Sequence, residues 1–153
     1  MKTRIAVSAC LVGFKCRYDG KSNRNENVVL LEEHPDIELV PVCPECLGGL
    51  PVPRECSERK EGKVVTSSGI DVTRQFEQGS QLALKKVLES GCKIAILKAR
   101  SPSCGTGTIY DGTFSHTVVS GSGLFSALLQ ENGIKVFSEE QLPLLQEQSE
   151  LQG

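Results

Sequence analysis

The sequence predicts an α/β fold, and three observations carry that reading. Short apolar runs suited to buried strands occur at Ile5-Ala6-Val7, Ile37-Glu38-Leu39-Val40-Pro41-Val42, Lys93-Ile94-Ala95-Ile96-Leu97 and Ile134-Lys135-Val136-Phe137. Amphipathic stretches with helical spacing lie between them, most clearly at 72–90 and 124–131. Gly91 and Asn132-Gly133 supply the stops those helices need. Strands alternating with helices build a mostly parallel sheet with helices on both faces. The expected architecture is a single domain over 1–153, three-layered and of the flavodoxin or Rossmann type, with a polar tail after about residue 145.

Each element has a local reason. Residues 13–27 are polar and basic, with Lys15, Arg17, Lys21 and Arg24 between turn-forming glycines, and read as an ordered functional loop. Residues 27–34 suit a short helix. Residues 44–62, rich in Pro, Gly and charge, read as one long loop, and 63–66 as a small extra strand or hairpin arm. Phe76, Leu82, Ala83, Val87 and Leu88 mark the apolar stripe of the 72–90 helix. The Gly/Ser/Thr-rich stretch 101–115 reads as a loop. Ser138-Glu139-Glu140-Gln141 fits a capping box that opens a C-terminal helix.

The bulk numbers narrow the function. At 153 residues the chain can bury one real core. A net charge of −2 argues against a broad basic face for nucleic acid, and the lack of Trp argues against a stacking platform for single strands. No apolar run approaches the roughly 18 residues of a membrane span. Met1-Lys2-Thr3-Arg4 leads straight towards the first strand without a signal-peptide pattern. The expected compartment is the reducing cytoplasm. There, seven cysteines read as metal ligands or reactive groups rather than as a disulfide framework.

Three of those cysteines stand apart. Cys10, Cys43 and Cys104 each sit where a strand should give way to a loop. In a parallel sheet all strand carboxyl ends share one edge, and ligands bind there. Three thiols distant in sequence therefore converge, as an iron–sulfur or metal site requires. Cys16 could be a fourth ligand or a redox-active neighbour. Cys92, before a strand, reads as a small buried hydrophobe, and Cys56 as a solvent-facing thiol. Cys43-Pro44-Glu45-Cys46 lacks the second knuckle of a zinc ribbon. It also lacks the following helix of a thioredoxin-like site, because Leu47-Gly48-Gly49-Leu50-Pro51 is a poor helix.

Other groups could join the chemistry. Glu45, two residues from Cys43, is either a general acid or base or a surface carboxylate. Ser101 and Ser103 could orient a substrate or cap the Cys104 turn. Arg17, Arg24, Arg54 and Arg100 could each hold an anion or form an ion pair. Ser120-Gly121-Ser122-Gly123 could offer backbone N–H groups to an anion or serve as a tight turn into a helix. His34 and His116 have no metal-like spacing and receive no role.

Six blocks carry a resemblance: Ser8-Ala9-Cys10-Leu11-Val12-Gly13, Cys16-Arg17-Tyr18-Asp19-Gly20, Pro41-Val42-Cys43-Pro44-Glu45, Gly48-Gly49-Leu50-Pro51-Val52-Pro53-Arg54, Ser101-Pro102-Ser103-Cys104-Gly105 and Ile109-Tyr110-Asp111-Gly112-Thr113-Phe114. In this order they resemble a bacterial family, long labelled a domain of unknown function, that includes thiouracil desulfurase. The resemblance implies a 4Fe-4S cluster held by Cys10, Cys43 and Cys104, with Glu45 and Ser101 as catalytic residues. It implies removal of sulfur from a thiolated nucleobase without net redox change, releasing hydrogen sulfide. In that chemistry an open iron draws the thiocarbonyl sulfur, Glu45 activates water and Ser101 positions base or water. Two other readings stay open on the residues alone. One is a metal- or cluster-stabilised binding or sensor domain; the other is a nucleoside- or phosphate-handling enzyme that needs no iron.

Overall fold

The fold is that of a computed structural model, which describes residues 2–142. Strand β1 (Thr3–Ser8) runs into a 3-10 turn at Ala9–Val12, then α1 (Glu26–Val29) with a second 3-10 turn at Leu30–Glu33. Next come β2 (Ile37–Val42), the single-turn α2 (Pro44–Leu47), the hairpin β3 (Ser57–Lys60) and β4 (Lys63–Thr66), and the long helix α3 (Thr73–Glu89). After β5 (Ile94–Leu97) follow the hairpin β6 (Thr108–Tyr110) and β7 (Val118–Ser120), α4 (Leu124–Glu131), β8 (Lys135–Ser138) and a 3-10 turn at Glu139–Gln141.

The central sheet is four-stranded and parallel, in the order β2-β1-β5-β8. The chain moves one way from β1 to β2, then crosses back to β5 and continues to β8. Right-handed crossovers therefore put the first connection on one face and the later ones on the other. The packing follows. Ala6, Ala95 and Leu97 face Ala83, Val87, Phe125 and Leu129 of α3 and α4. Ile5, Val7, Ile94 and Ile96 face Leu11, Val28, Leu31 and Leu142. Small alanines let two full helices approach on one side. Branched side chains fill the space under short helical turns on the other. The three-layer α/β reading holds, with one layer made of short pieces.

Several expectations need correction. Leu82 and Leu88 are half exposed, because the buried stripe of α3 runs Phe76, Gly79, Ser80, Ala83, Leu84, Val87. Residues 3, 4 and 7 apart share a helix face, and Leu82 and Leu88 lie about 100° to its side. The stretch 44–62 is not one loop, since it holds α2 and β3. The stretch 101–115 holds β6, whose partner β7 went unread. The capping box at Ser138 is present, with Glu140 N–H donating to Ser138 and Gln141 accepting from Ser138 N–H. The tail after residue 145 lies outside the described residues.

Helix α2 lies directly on α3. A Cβ on Gly79 would come within 1.8 Å of the Pro44 carbonyl oxygen, and one on Gly48 within 2.0 Å of the Gln75 carbonyl oxygen. Gly79→Ala gains about 1 kcal/mol of helix propensity. Forcing the backbones apart costs about 1–3 kcal/mol or more. The clash should win, with a net loss of about 2 kcal/mol seen as a lower urea midpoint. An unchanged midpoint would mean that α2 moves aside freely.

Candidate active site

The sheet order reverses between β1 and β5, and crevices at such points receive ligands beyond the strand carboxyl ends. A cavity of ≈ 340 Å³ lies there. Cys10 enters it from the turn after β1, Cys43 from the first position after β2, and Cys104 from the loop that follows β5. Cys104 is not at a strand end as expected. It sits past Ser101-Pro102-Ser103, in a loop tied down by α4. Leu124 N–H donates to the Pro102 carbonyl at 3.0 Å, and Phe125 and Ser126 N–H donate to the Ser103 carbonyl at 2.9 and 3.1 Å. Gly121 and Gly123 N–H donate to Gly107 and Gly105. Two of the backbone donors that a phosphate would need at 120–123, those of Gly121 and Gly123, are thus committed inside the fold.

Cys16 also lines the cavity. Its thiol interacts electrostatically with those of Cys10 and Cys43, so three sulfurs share one neighbourhood. Cys16 keeps its proton, and its pKa is pushed up. Its S–H lowers the Cys43 thiol to about 6 and lowers that of Cys10, which Asn23 Nδ2 also reaches at 3.4 Å. One S–H serves one thiolate at a time, so Cys10 and Cys43 compete for it. Cys104 is 5% exposed, and burial pushes its thiol up to about 12 against the contacts of Ser8 and Ser103.

Glu45 is anchored on both oxygens. Oε1 accepts from Arg54 at 3.3 Å, and Oε2 accepts from the Ser103 hydroxyl at 3.1 Å. The pair is mostly buried, with side-chain exposures of 18% and 8%. Arg54 also donates to the Cys16 carbonyl at 3.0 Å, which ties the first loop to the carboxylate. Ser101 Oγ accepts from the N–H groups of Ser103 and Cys104 at 3.2 and 3.1 Å, and stands 3.1 Å from Ser103 Oγ. The hydroxyls of Ser101 and Ser103 and the carboxylate of Glu45 therefore form one chain. It begins at Ser101 on the cavity surface and passes through Ser103, which is fully buried.

All five residues expected at the site, Cys10, Cys43, Cys104, Glu45 and Ser101, are brought together. Ser103, a substrate-orienting group or a turn cap on sequence grounds, is the serine that bonds Glu45. Its position two residues from Ser101 in the same block was the available signal. Cys92 is buried in the core as expected. Cys56 is not solvent-facing. It is half-buried, lines the cavity and contacts the Tyr18 hydroxyl. A helical turn does start at Cys43, contrary to expectation, but it ends at Gly48 after four residues.

The donor set suits a cluster better than a single ion. Thiolate is the soft ligand that iron–sulfur clusters take. Among the described residues, no three His, Cys, Asp or Glu side chains close around one point as a single metal requires. A zinc with sulfurs at about 2.3 Å needs them within about 4 Å of one another. A cubane binds each cysteine through a different iron and spreads them further.

In cluster-free protein under reducing conditions, alkylation of Cys43 by iodoacetamide should be half-maximal near pH 6. The lowered pKa makes thiolate predominate above that pH. Cys16→Ala should move the midpoint upward by removing the largest stabilising contact. Peptide mass spectrometry across pH reads both, and an unmoved midpoint would deny the Cys16 contact.

Comparison with known proteins agrees with this geometry. Residues 5–141 match the family model described as 2-thiouracil desulfurase. The uncharacterized protein YbbK of Bacillus subtilis (strain 168) is 41% identical over 148 residues, covering 90% of this chain and 97% of that protein. The solved structure of a [4Fe-4S]-dependent thiouracil desulfidase, TudS, superposes with a TM-score of 0.85 at 48% identity, covering 94% of this chain and 95% of that one. A family match over nearly the whole chain, on a fold in which one cavity gathers the same thiols that carried the resemblance, has one reading: the chain belongs to the 2-thiouracil desulfurase family.

Proposed function

We propose that this protein removes sulfur from a thiolated nucleobase of the 2-thiouracil kind, with a 4Fe-4S cluster held by Cys10, Cys43 and Cys104. The reaction exchanges a thiocarbonyl for a carbonyl at the expense of water. Hydrogen sulfide leaves and no electrons are transferred. The observation that carries this reading is the convergence of three thiols on one cavity beside Glu45. Cys16, in contact with two of the three, is the fourth thiol of the site.

A cluster bound by three cysteines supplies an open iron, a Lewis acid matched to a soft thiocarbonyl sulfur. The rest falls to the chain's own side chains. Glu45 takes a proton from the water that attacks the thiocarbonyl carbon. Arg54 and Ser103 hold its two oxygens, so its orientation is set before the base arrives. The proton has a path from Glu45 through the Ser103 hydroxyl to Ser101, where it meets the departing sulfur or the base. Ser101 positions the base or the water at the cavity surface. Arg54 places its charge 3.3 Å from Oε1 and so fixes which face of the carboxylate meets the cavity.

The membrane reading is limited to one fact: no described helix is long and apolar enough to cross a bilayer. We place the protein in the cytoplasm, where reduced thiols persist.

The test is anaerobic purification with iron and sulfide reconstitution. Iron counting, visible absorption with and without 2-thiouracil, and sulfide release follow. About four irons per chain, a spectrum moved by the thiobase and sulfide on turnover are expected. Glu45→Gln should keep the iron and lose turnover by about 10²-fold or more, whereas Cys104→Ala should lose the iron itself. A colourless protein that refuses iron, or a fully active Glu45→Gln enzyme, would overturn the mechanism.

A further inference from the structure

One block of the sequence, Ile109-Tyr110-Asp111-Gly112-Thr113-Phe114, has no part in the chemistry above. It forms the β6 end of a hairpin whose tip makes a second wall of the same cavity. Tyr110 and His116 both line that cavity. Their rings meet edge to face, with centroids 5.8 Å apart and planes at 80°. The Tyr110 hydroxyl also lies beside the Arg100 guanidinium, whose charge it helps to stabilise. Glu140 holds that guanidinium through two bonds of 3.0 and 2.9 Å. Tyr110 is thus held through its ring by His116 and beside its hydroxyl by Arg100.

The tip is held from beneath by a buried carboxylate. Glu58, on β3, is 7% exposed. Its Oε1 accepts from the backbone N–H of Gly112 at 3.0 Å and of Phe114 at 3.1 Å. Gly112 lies so close to β3 that a Cβ there would stand 2.8 Å from the Arg59 carbonyl oxygen. Asp111 N–H donates to the Thr117 carbonyl across the tip at 3.0 Å. Phe114 and His116 both adopt left-handed backbone, with φ of 59° and 60°. Non-glycine residues hold that conformation only where surrounding contacts enforce it, and such strain gathers at ligand-binding segments.

A nucleobase is a planar π system, and aromatic side chains bind any base through its faces. On the thiol side the aromatic side chain that lines the cavity is Tyr18, and the Arg17 guanidinium already lies over its ring at 5.5 Å. The hairpin wall has the ring pair of Tyr110 and His116. We propose that the β6–β7 tip is the base-binding wall of this site. Tyr110 and His116 contact the ring of the thiolated base, and Glu58 is a positioning residue that keeps the tip in place. The inference rests on the desulfurase reading and assigns that site's means of holding its substrate.

The test uses reconstituted holoprotein and steady-state kinetics with 2-thiouracil. Tyr110→Leu should raise KM about tenfold, with a smaller change in kcat and unchanged iron content. Tyr110→Phe, which keeps the ring, should stay close to wild type. His116→Ala, at the exposed mouth, tests the same wall with little risk to folding and should raise KM several-fold. Glu58→Ala should raise KM and speed hydrogen exchange at the Gly112 and Phe114 amides. Glu58→Gln, whose amide oxygen can accept the same two bonds, should restore both. Wild-type KM in both Tyr110→Leu and His116→Ala would overturn the wall. A raised KM in Glu58→Ala with slow exchange kept at both amides would overturn the positioning role. A wild-type holoprotein that neither binds nor turns over 2-thiouracil would instead strike down the desulfurase reading itself.

Discussion

The backbones of α2 and α3 touch with no side chain between them, and the site depends on that contact. Pro44 and Gly48 sit against Gln75 and Gly79 at distances no Cβ tolerates. Helix α3 is in turn fixed by Phe76, Ala83 and Val87 in the core. The turn that carries Cys43 and Glu45 therefore inherits the rigidity of the longest helix. The same device recurs on the other side. A Cβ on Gly123 would stand 2.4 Å from the Ser103 carbonyl carbon, and the first amides of α4 bond that loop. The two segments that must meet, Cys43-Pro44-Glu45 and Ser101-Pro102-Ser103-Cys104, are each pressed onto a helix by glycine. Their meeting point is the hydrogen bond from the Ser103 hydroxyl to Glu45.

Electrostatics then assign separate tasks to neighbouring groups. Burial of an ion pair yields little net stability, but removing one partner leaves a costly charge of about 3–5 kcal/mol. Arg54 and Glu45 are such a pair, so their value here is orientation. Arg54 reaches the Cys16 carbonyl as well, which makes one guanidinium the tie between the first loop and the carboxylate. The thiols divide in a similar way. Cys16 holds a proton while Cys10 and Cys43 lean towards thiolate, the form a metal binds. Cys104 is kept neutral by burial and gives up its proton only to a strong Lewis acid.

Much of this was legible in the sequence, for physical reasons that differ by element. Ile5-Ala6-Val7 and Ile94-Ala95-Ile96-Leu97 have the apolar continuity of strands covered on both faces, and α4 has its apolar stripe and its Asn132-Gly133 stop. Convergence of Cys10 and Cys43 followed from parallel-sheet geometry, whereas Cys104 reaches them through a loop that α4 ties down. The hairpin β6–β7 was hidden because its strands are three residues each, and β7 is exposed and so lacks a buried face to give it a period. The single turn of α2 is set by tertiary contact with α3 rather than by propensity. Ser103 outranked expectation because hydrogen bonding depends on which group faces Glu45, and adjacent serines look alike in a string of letters. Leu82 and Leu88 show the reverse error, in which apolar residues beside a true stripe are mistaken for part of it.

The order β2-β1-β5-β8 has a consequence for how the protein is made. A chain leaving the ribosome presents Cys10, Cys16 and Cys43 early, but β1 lacks its second neighbour until β5 has emerged. The loop to Cys104 comes later still, and the helix that clamps it later again. No nascent fragment ending before α4 contains an assembled thiol trio. The cavity is thus completed only by the last third of the chain, because the loop that brings Cys104 to it is held by α4.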